Sequence, residues 1–136
     1  MDMKSYNEKI IKEFRQNGGK VSQFGDLPMV ILHSRGAKTG EIRLIPLVVT
    51  EESDGVYIFG SYAGAKKDPG WVHNLRAHPD ITVEYGTETY TAKIEELDPE
   101  QAKAKVSIQQ QRSSQFAAYV SAASPREIPV FTIKRQ

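Results

Sequence analysis

The chain has 136 residues and a formal net charge of +1, with eighteen Lys and Arg against seventeen Asp and Glu. That length fits one domain over residues 1–136, and 39% hydrophobic with 26% charged residues is ordinary globular usage, which excludes a disordered tail or a fibrous repeat. The near-neutral charge gives no electrostatic case for a nucleic-acid partner, and the lack of cysteine excludes a disulfide framework, a thiolate metal site and a thiol nucleophile.

Ser5 and Glu8 have the spacing of a capping box, and Tyr6, Ile10 and Phe14 recur every four residues, so the sequence predicts a helix from Tyr6 to Gln16, ended by Asn17-Gly18-Gly19. Met1 to Arg15 carries no signal-peptide core and no stretch approaches the ~18 apolar residues of a membrane span, which with the lack of cysteine points to the cytoplasm. The stripe Tyr6, Ile10 and Phe14, flanked by Lys4, Lys9 and Lys12, has two readings: the core side of a helix, or a weak contact with the inner face of a membrane.

Met29 to Leu32 follows Pro28 and reads as a buried strand. Ile42 to Thr50 reads as one strand in which Pro46 marks an edge or a bulge. Ser53-Asp54-Gly55 turns into a strand over Val56 to Phe59, and Asp68-Pro69 reads as the N-cap and first residue of a short helix that His78-Pro79 closes. Ile81, Val83 and Tyr85 alternate into a turn at Gly86-Thr87, and Tyr90, Ala92 and Ile94 return. Asp98-Pro99 opens a helical region towards Ala123 with a break between Gln109 and Gln115, and Ile128 to Ile133 forms the last strand. About six strands, mostly hairpin-linked, with three helices predict a mainly β protein with flanking helices, a small antiparallel barrel or roll.

The three histidines form neither an H-E-x-x-H pair nor a ligand set with carboxylates, so no metal site is read, and no Walker or G-x-S-x-G sequence occurs. The loop Arg35-Gly36-Ala37-Lys38-Thr39-Gly40, with Arg43 beyond it, gathers three cations, two glycines and a hydroxyl donor. It reads equally as a seat for a phosphate or as a solvated hairpin tip. Gly60 to Leu75 likewise reads as small residues beside a flat ligand, or as a plain strand-to-helix crossover in which Trp71 is core.

Gly36 to Leu47, Ser61 to Gly64 and Pro69 to Pro79, with Glu13 to Val21 before them and Arg126 to Val130 after them, resemble the signature blocks of the deazaflavin-dependent nitroreductase family, in order and with matching gaps. The resemblance implies a six-stranded antiparallel split β-barrel, FMN-binding split-barrel-like, that binds coenzyme F420 and passes hydride from it to a small-molecule electron acceptor such as a quinone, an enone or a nitro compound. It implies that Ala37, Lys38, Thr39 and Arg43 hold the cofactor phosphate and that Leu44, Ile45, Pro46, Leu47 and Val48 lie along the ring. Phe59, Gly60, Ser61 and Tyr62, with Gly70, Trp71, Val72, His73 and Asn74, would complete the groove. Tyr119 and Ser61 are the candidate catalytic hydroxyls.

The late-helix tyrosines of the nitroreductase correspond to Ser113, Phe116 and Tyr119, and Tyr62 stands where a lysine is usual. FMN on the same barrel and a non-catalytic F420 carrier are the alternative readings. Barrels of this type often pair, so a homodimer is a further expectation.

Overall fold

In the computed structural model, which describes residues 2–136 and leaves Met1 outside, strand alternation sets the layers. On β1 (Met29–Arg35), Val30 and Leu32 enter one core cluster, whereas Met29 and Ile31 enter another on the opposite face. Burying a side chain of this size contributes about 1.5–3 kcal/mol, so both faces of β1 need a cover. The outer cover is α1 (Met3–Gln16), which packs Ile10, Ile11 and Phe14 onto Met29 and Ile31. The inner one is the rest of a curled sheet together with α2 (Gly70–Ala77), whose Trp71, Val72 and Leu75 fill the centre.

Among the described residues, β1, β2 (Ile42–Val48), β3 (Thr50–Glu52), β4 (Gly55–Phe59), β5 (Asp80–Tyr85), β6 (Glu88–Glu96) and β7 (Val130–Arg135) form one antiparallel sheet in the order β2-β1-β5-β6-β7-β4-β3. The expected six strands become seven because the run from Ile42 to Thr50 divides into β2 (Ile42–Val48) and β3 (Thr50–Glu52). Between them Val49 is 2% exposed and donates its N–H to Pro28 O at 2.9 Å. This residue turns the chain from one edge of the sheet to the other, so the two edge strands are sequence neighbours without being ladder partners. Pro46, on edge strand β2, removes a donor where no central ladder needs one.

β3 turns through Ser53-Asp54 into β4 (Gly55–Phe59), and β5 (Asp80–Tyr85) turns through Gly86-Thr87 into β6 (Glu88–Glu96), both where turn residues were read. The predicted long helical region is α3 (Pro99–Arg112), capped by Asp98, and α4 (Ser114–Ala123), broken at Ser113 inside the polar stretch. The last strand, β7, runs Val130–Arg135, later than expected because Ile128 is already packed beneath α4.

Two local expectations give way. Asp2, not Ser5, caps α1: its carboxylate accepts the Ser5 N–H at 2.8 Å. Asp68 does not cap α2; Arg126 takes its carboxylate at 2.7 Å and Pro69 occupies the cap position. Of the two readings of the stripe Tyr6, Ile10 and Phe14, its packing with Met29 and Ile31 supports the core side of a helix. No helix among the described residues is long and apolar enough to cross a membrane.

Candidate functional site

The register Val30↔Leu47, Leu32↔Ile45 and Ser34↔Arg43 puts Arg43 on the same sheet face as Ile45 and Leu47, which pack on the central core. Leu44 packs under α1 instead, and Pro46 and Val48 share its alternation. The five residues matched to the ring strand therefore divide between two faces. What they share is a backbone at the edge of the sheet, where alternate N–H and C=O groups have no strand partner among the described residues.

At one end of that edge stands the loop of Gly36 to Glu41. Gly36 N–H donates to Glu41 O at 2.8 Å, Gly40 N–H to Gly36 O at 2.9 Å and Glu41 N–H to Thr39 Oγ1 at 3.2 Å. Ala37 N–H donates to Asn74 Oδ1 at 2.9 Å, and the Asn74 amide donates to Ser34 Oγ at 3.3 Å. Four of the loop amides are thus already bonded, and only those of Lys38 and Thr39 lack a partner among the described residues. An anion here would be held by the Lys38 and Arg43 side chains and the Thr39 hydroxyl more than by a ring of amides. Arg35 belongs to the opposite sheet face and borders a cavity of about 260 Å³ with His33 and Asp80, so the three cations read together in sequence separate into two and one.

The other wall is the stretch between β4 and α2. Register pairs Thr50 with Tyr57, so β4 extends past β3 and leaves Ile58 and Phe59 without a β3 partner. Ile58 belongs to the same core cluster as Val49, Ile45 and Leu47. The chain then makes a tight turn with left-handed backbone at Tyr62 (φ 46°), Ala63 (φ 51°) and Gly64 (φ 83°). For the two residues other than glycine this costs about 1–3 kcal/mol each and persists only where surroundings over-determine it.

Those surroundings are Arg126. Its Nε donates to Ala65 O at 2.9 Å, Nη1 to Gly60 O at 3.0 Å and to Asp68 Oδ1 at 2.7 Å, and Nη2 to Ser61 O at 2.8 Å. Sequence reading assigned Arg126 no role; its partners lie some sixty residues away in the chain, and no spacing rule reaches them.

Gly64 abuts α4: a Cβ there would meet Ala122 Cβ at 2.8 Å and Tyr119 O at 3.1 Å. Tyr119 is half-buried beside this turn, and Tyr62 is 46% exposed. Of the other two late-helix positions, Ser113 caps α4 by accepting the Phe116 N–H at 3.1 Å, and Phe116 packs edge-on against Phe59 with centroids 5.1 Å apart. On α2, Trp71 and Val72 are core residues, Trp71 tilting on Phe131 at 5.8 Å, so only backbone from these two can meet a ligand. Gly70 and His73 are exposed, a Cβ on Gly70 would meet open space, and Asn74 braces the loop. With Asp68 drawn away, no side chain caps α2, and the Gly70 and Trp71 amides have no partner among the described residues.

A cavity of about 640 Å³ between α3, α4 and the start of β7 contains none of the predicted cofactor residues.

The chain matches the family model described as F420H(2)-dependent quinone reductase over residues 7–135. It belongs to that family. An F420H(2)-dependent quinone reductase of Mycobacterium tuberculosis is 31% identical over 128 residues, 90% of this chain and 85% of the relative. A solved F420-H2 dependent reductase superposes with a TM-score of 0.66 at 29% identity, covering 79% of this chain and 94% of that one. A structure described as a domain-swapped dimer superposes at 0.68 with 27% identity over 96% of both chains. Membership makes this quinone reductase family protein an oxidoreductase that uses coenzyme F420, and the FMN and carrier alternatives fall away. The donor set fits that cofactor: two exposed cations, a hydroxyl and two unpaired amides suit a phosphate, and a free sheet edge suits the hydrogen-bonding rim of a flat ring.

Proposed function

We propose that this F420H2-dependent quinone reductase family member seats the cofactor phosphate on Lys38, Thr39 and Arg43 and the deazaflavin along the outer edge of β2. The reading is supported above all by Asn74, which ties the cation loop to α2 and so fixes a charged seat at the end of a free strand edge. Phe59, Gly60, Ser61 and Tyr62 wall the ring from the β4 side, and the backbone from Gly70, with His73, borders the loop.

Bound F420H2 supplies a hydride from its C5 carbon and loses a proton as it is oxidised, which together convert a quinone to a hydroquinone. The protein's part is to orient the ring and acceptor and to hand a proton to the quinone oxygen. Tyr119 and Ser61 are the proposed donors for that transfer, a reading supported by the contact of the turn at Gly64 with the Tyr119 backbone. Exposed Tyr62 offers an aromatic surface to a planar acceptor, which favours quinones and extends to enones and nitroarenes. The whole chain, residues 1–136, acts as one cofactor-binding domain in the cytoplasm. It works as a homodimer, on the precedent of the domain-swapped neighbour, which sedimentation tests.

The test of the seat is fluorescence titration of F420 with Lys38→Ala and Arg43→Ala. Each removed charged contact contributes about 1.5–3 kcal/mol, so each variant loses about ten- to a hundredfold in affinity. Wild-type affinity in both variants rules out this seat.

A further inference from the structure

We propose that Arg126 is a positioning residue of the cofactor site, a clamp that sets the distance between the turn bearing Ser61 and the helix bearing Tyr119. The inference rests on the proposal that this turn walls the cofactor. One guanidinium, 11% exposed, bonds three backbone carbonyls of a single turn, those of Gly60, Ser61 and Ala65, together with the Asp68 carboxylate that closes it. Inside this grip lie the two left-handed residues, Tyr62 and Ala63. An ordinary loop would relax such backbone, and four directed bonds hold it.

The grip is itself braced. Asp68 Oδ2 lies 3.7 Å from Arg76, and Arg76 makes two 2.8 Å hydrogen bonds to Glu96, so the turn, α2 and β6 are linked by one chain of charges. Gly60 N–H donates to Pro129 O at 2.8 Å, three residues from Arg126, so the turn meets the approach to β7 at a second point. Gly64 then rests on the backbone of Tyr119 and on Ala122, which transmits any shift of the turn to the candidate proton donor. Lysine cannot replace this group: it keeps one charge for Asp68 but lacks the planar fork that reaches three carbonyls.

The experiment compares wild type, Arg126→Lys and Glu84→Gln, the last a distant ion-pair variant that controls for general destabilisation. Two readings are taken: amide exchange of Gly60, Gly64 and Ala65, whose N–H groups are bonded to Pro129 O, Ser61 O and Tyr62 O, in the cofactor-free protein, and F420 affinity by fluorescence. The expected result is folded Arg126→Lys with these amides exchanging at least tenfold faster, the rest of the sheet unchanged and F420 affinity at least tenfold weaker, while Glu84→Gln keeps wild-type affinity. Exchange and affinity within twofold of wild type in folded Arg126→Lys overturn the clamp, as does an equal affinity loss in Glu84→Gln. Where Arg126→Lys does not fold, Asp68→Asn, which removes the carboxylate that aims the guanidinium, decides by the same readings. A wild-type protein that fails to bind F420 overturns the cofactor reading instead, and the exchange measurement still decides whether Arg126 holds the turn.

Discussion

Asn74 on α2 accepts the Ala37 N–H at 2.9 Å while its own amide donates to Ser34 Oγ at 3.3 Å, so one side chain joins the end of β1, the cation loop and the helix. Removing it frees the loop without touching a charge. Of the two neutral hydrogen bonds that Asn74→Ala gives up, only the one to Ala37 holds the loop itself; at about 0.5–1.5 kcal/mol its loss lowers F420 affinity about two- to tenfold, less than loss of Lys38 or Arg43. Titration of the three variants side by side checks the ranking, and an Asn74→Ala deficit larger than that of Arg43→Ala would shift the seat from charge to loop geometry.

Tyr119 is the late-helix hydroxyl proposed as proton donor: its backbone lies against the turn at Gly64, while Ser113 is used as a cap and Phe116 is packed on Phe59. Tyr119→Phe lowers kcat for menadione about a hundredfold, the low end of what a positioned proton donor contributes, and leaves F420 affinity unchanged. Unaltered kcat would pass the role to Ser61 or to water, which Ser61→Ala resolves.

Glu84 on β5 holds α1 to the sheet. Arg15 reaches it with hydrogen bonds of 3.0 and 2.7 Å and His33 Nε2 lies at 2.8 Å, which keeps its carboxyl below the ordinary value of 4.5. A carboxyl lowered by folding stabilises fully above its unfolded value, and the contribution is lost as pH falls through the folded one, because the unfolded chain takes up the proton first. Glu84→Gln therefore costs about 1–2 kcal/mol at pH 7, and the gap to wild type closes as the pH drops below 4.5. Denaturant melts across that range check it; a gap independent of pH would mean that Glu84 acts by packing alone.

Ser113 caps α4 with its hydroxyl on the Phe116 N–H at 3.1 Å. Ser113→Ala lowers stability by about 1 kcal/mol and leaves F420 affinity at the wild-type level, measured by thermal melting and titration. A loss of affinity would show that the break between α3 and α4 is part of the groove.

Local chemistry was legible where it is local. The turns at Ser53-Asp54 and Gly86-Thr87, the Asp98 cap and the break near Ser113 each follow from residues within a few positions of one another. The division at Val49 was not: a β-branched run reads as one strand, and only burial of Val49 and its bond to Pro28 turn the chain. Asp68 failed as a cap for the same kind of reason, since a guanidinium fifty-eight positions away competes for its carboxylate. In the candidate site, spacing located the cations but not their faces. Alternation along β1 and β2, fixed by register, separates Arg35 from Arg43 and divides Leu44 to Val48 between two sides.

The most direct test of the account is stopped-flow mixing of the protein, preloaded with F420H2, against menadione. Oxidised deazaflavin is expected to appear faster than in the protein-free reaction, at a rate that saturates with menadione and falls to the protein-free rate in the Lys38→Ala/Arg43→Ala double variant. A wild-type rate equal to that of free F420H2, at concentrations where titration shows the cofactor bound, would contradict it.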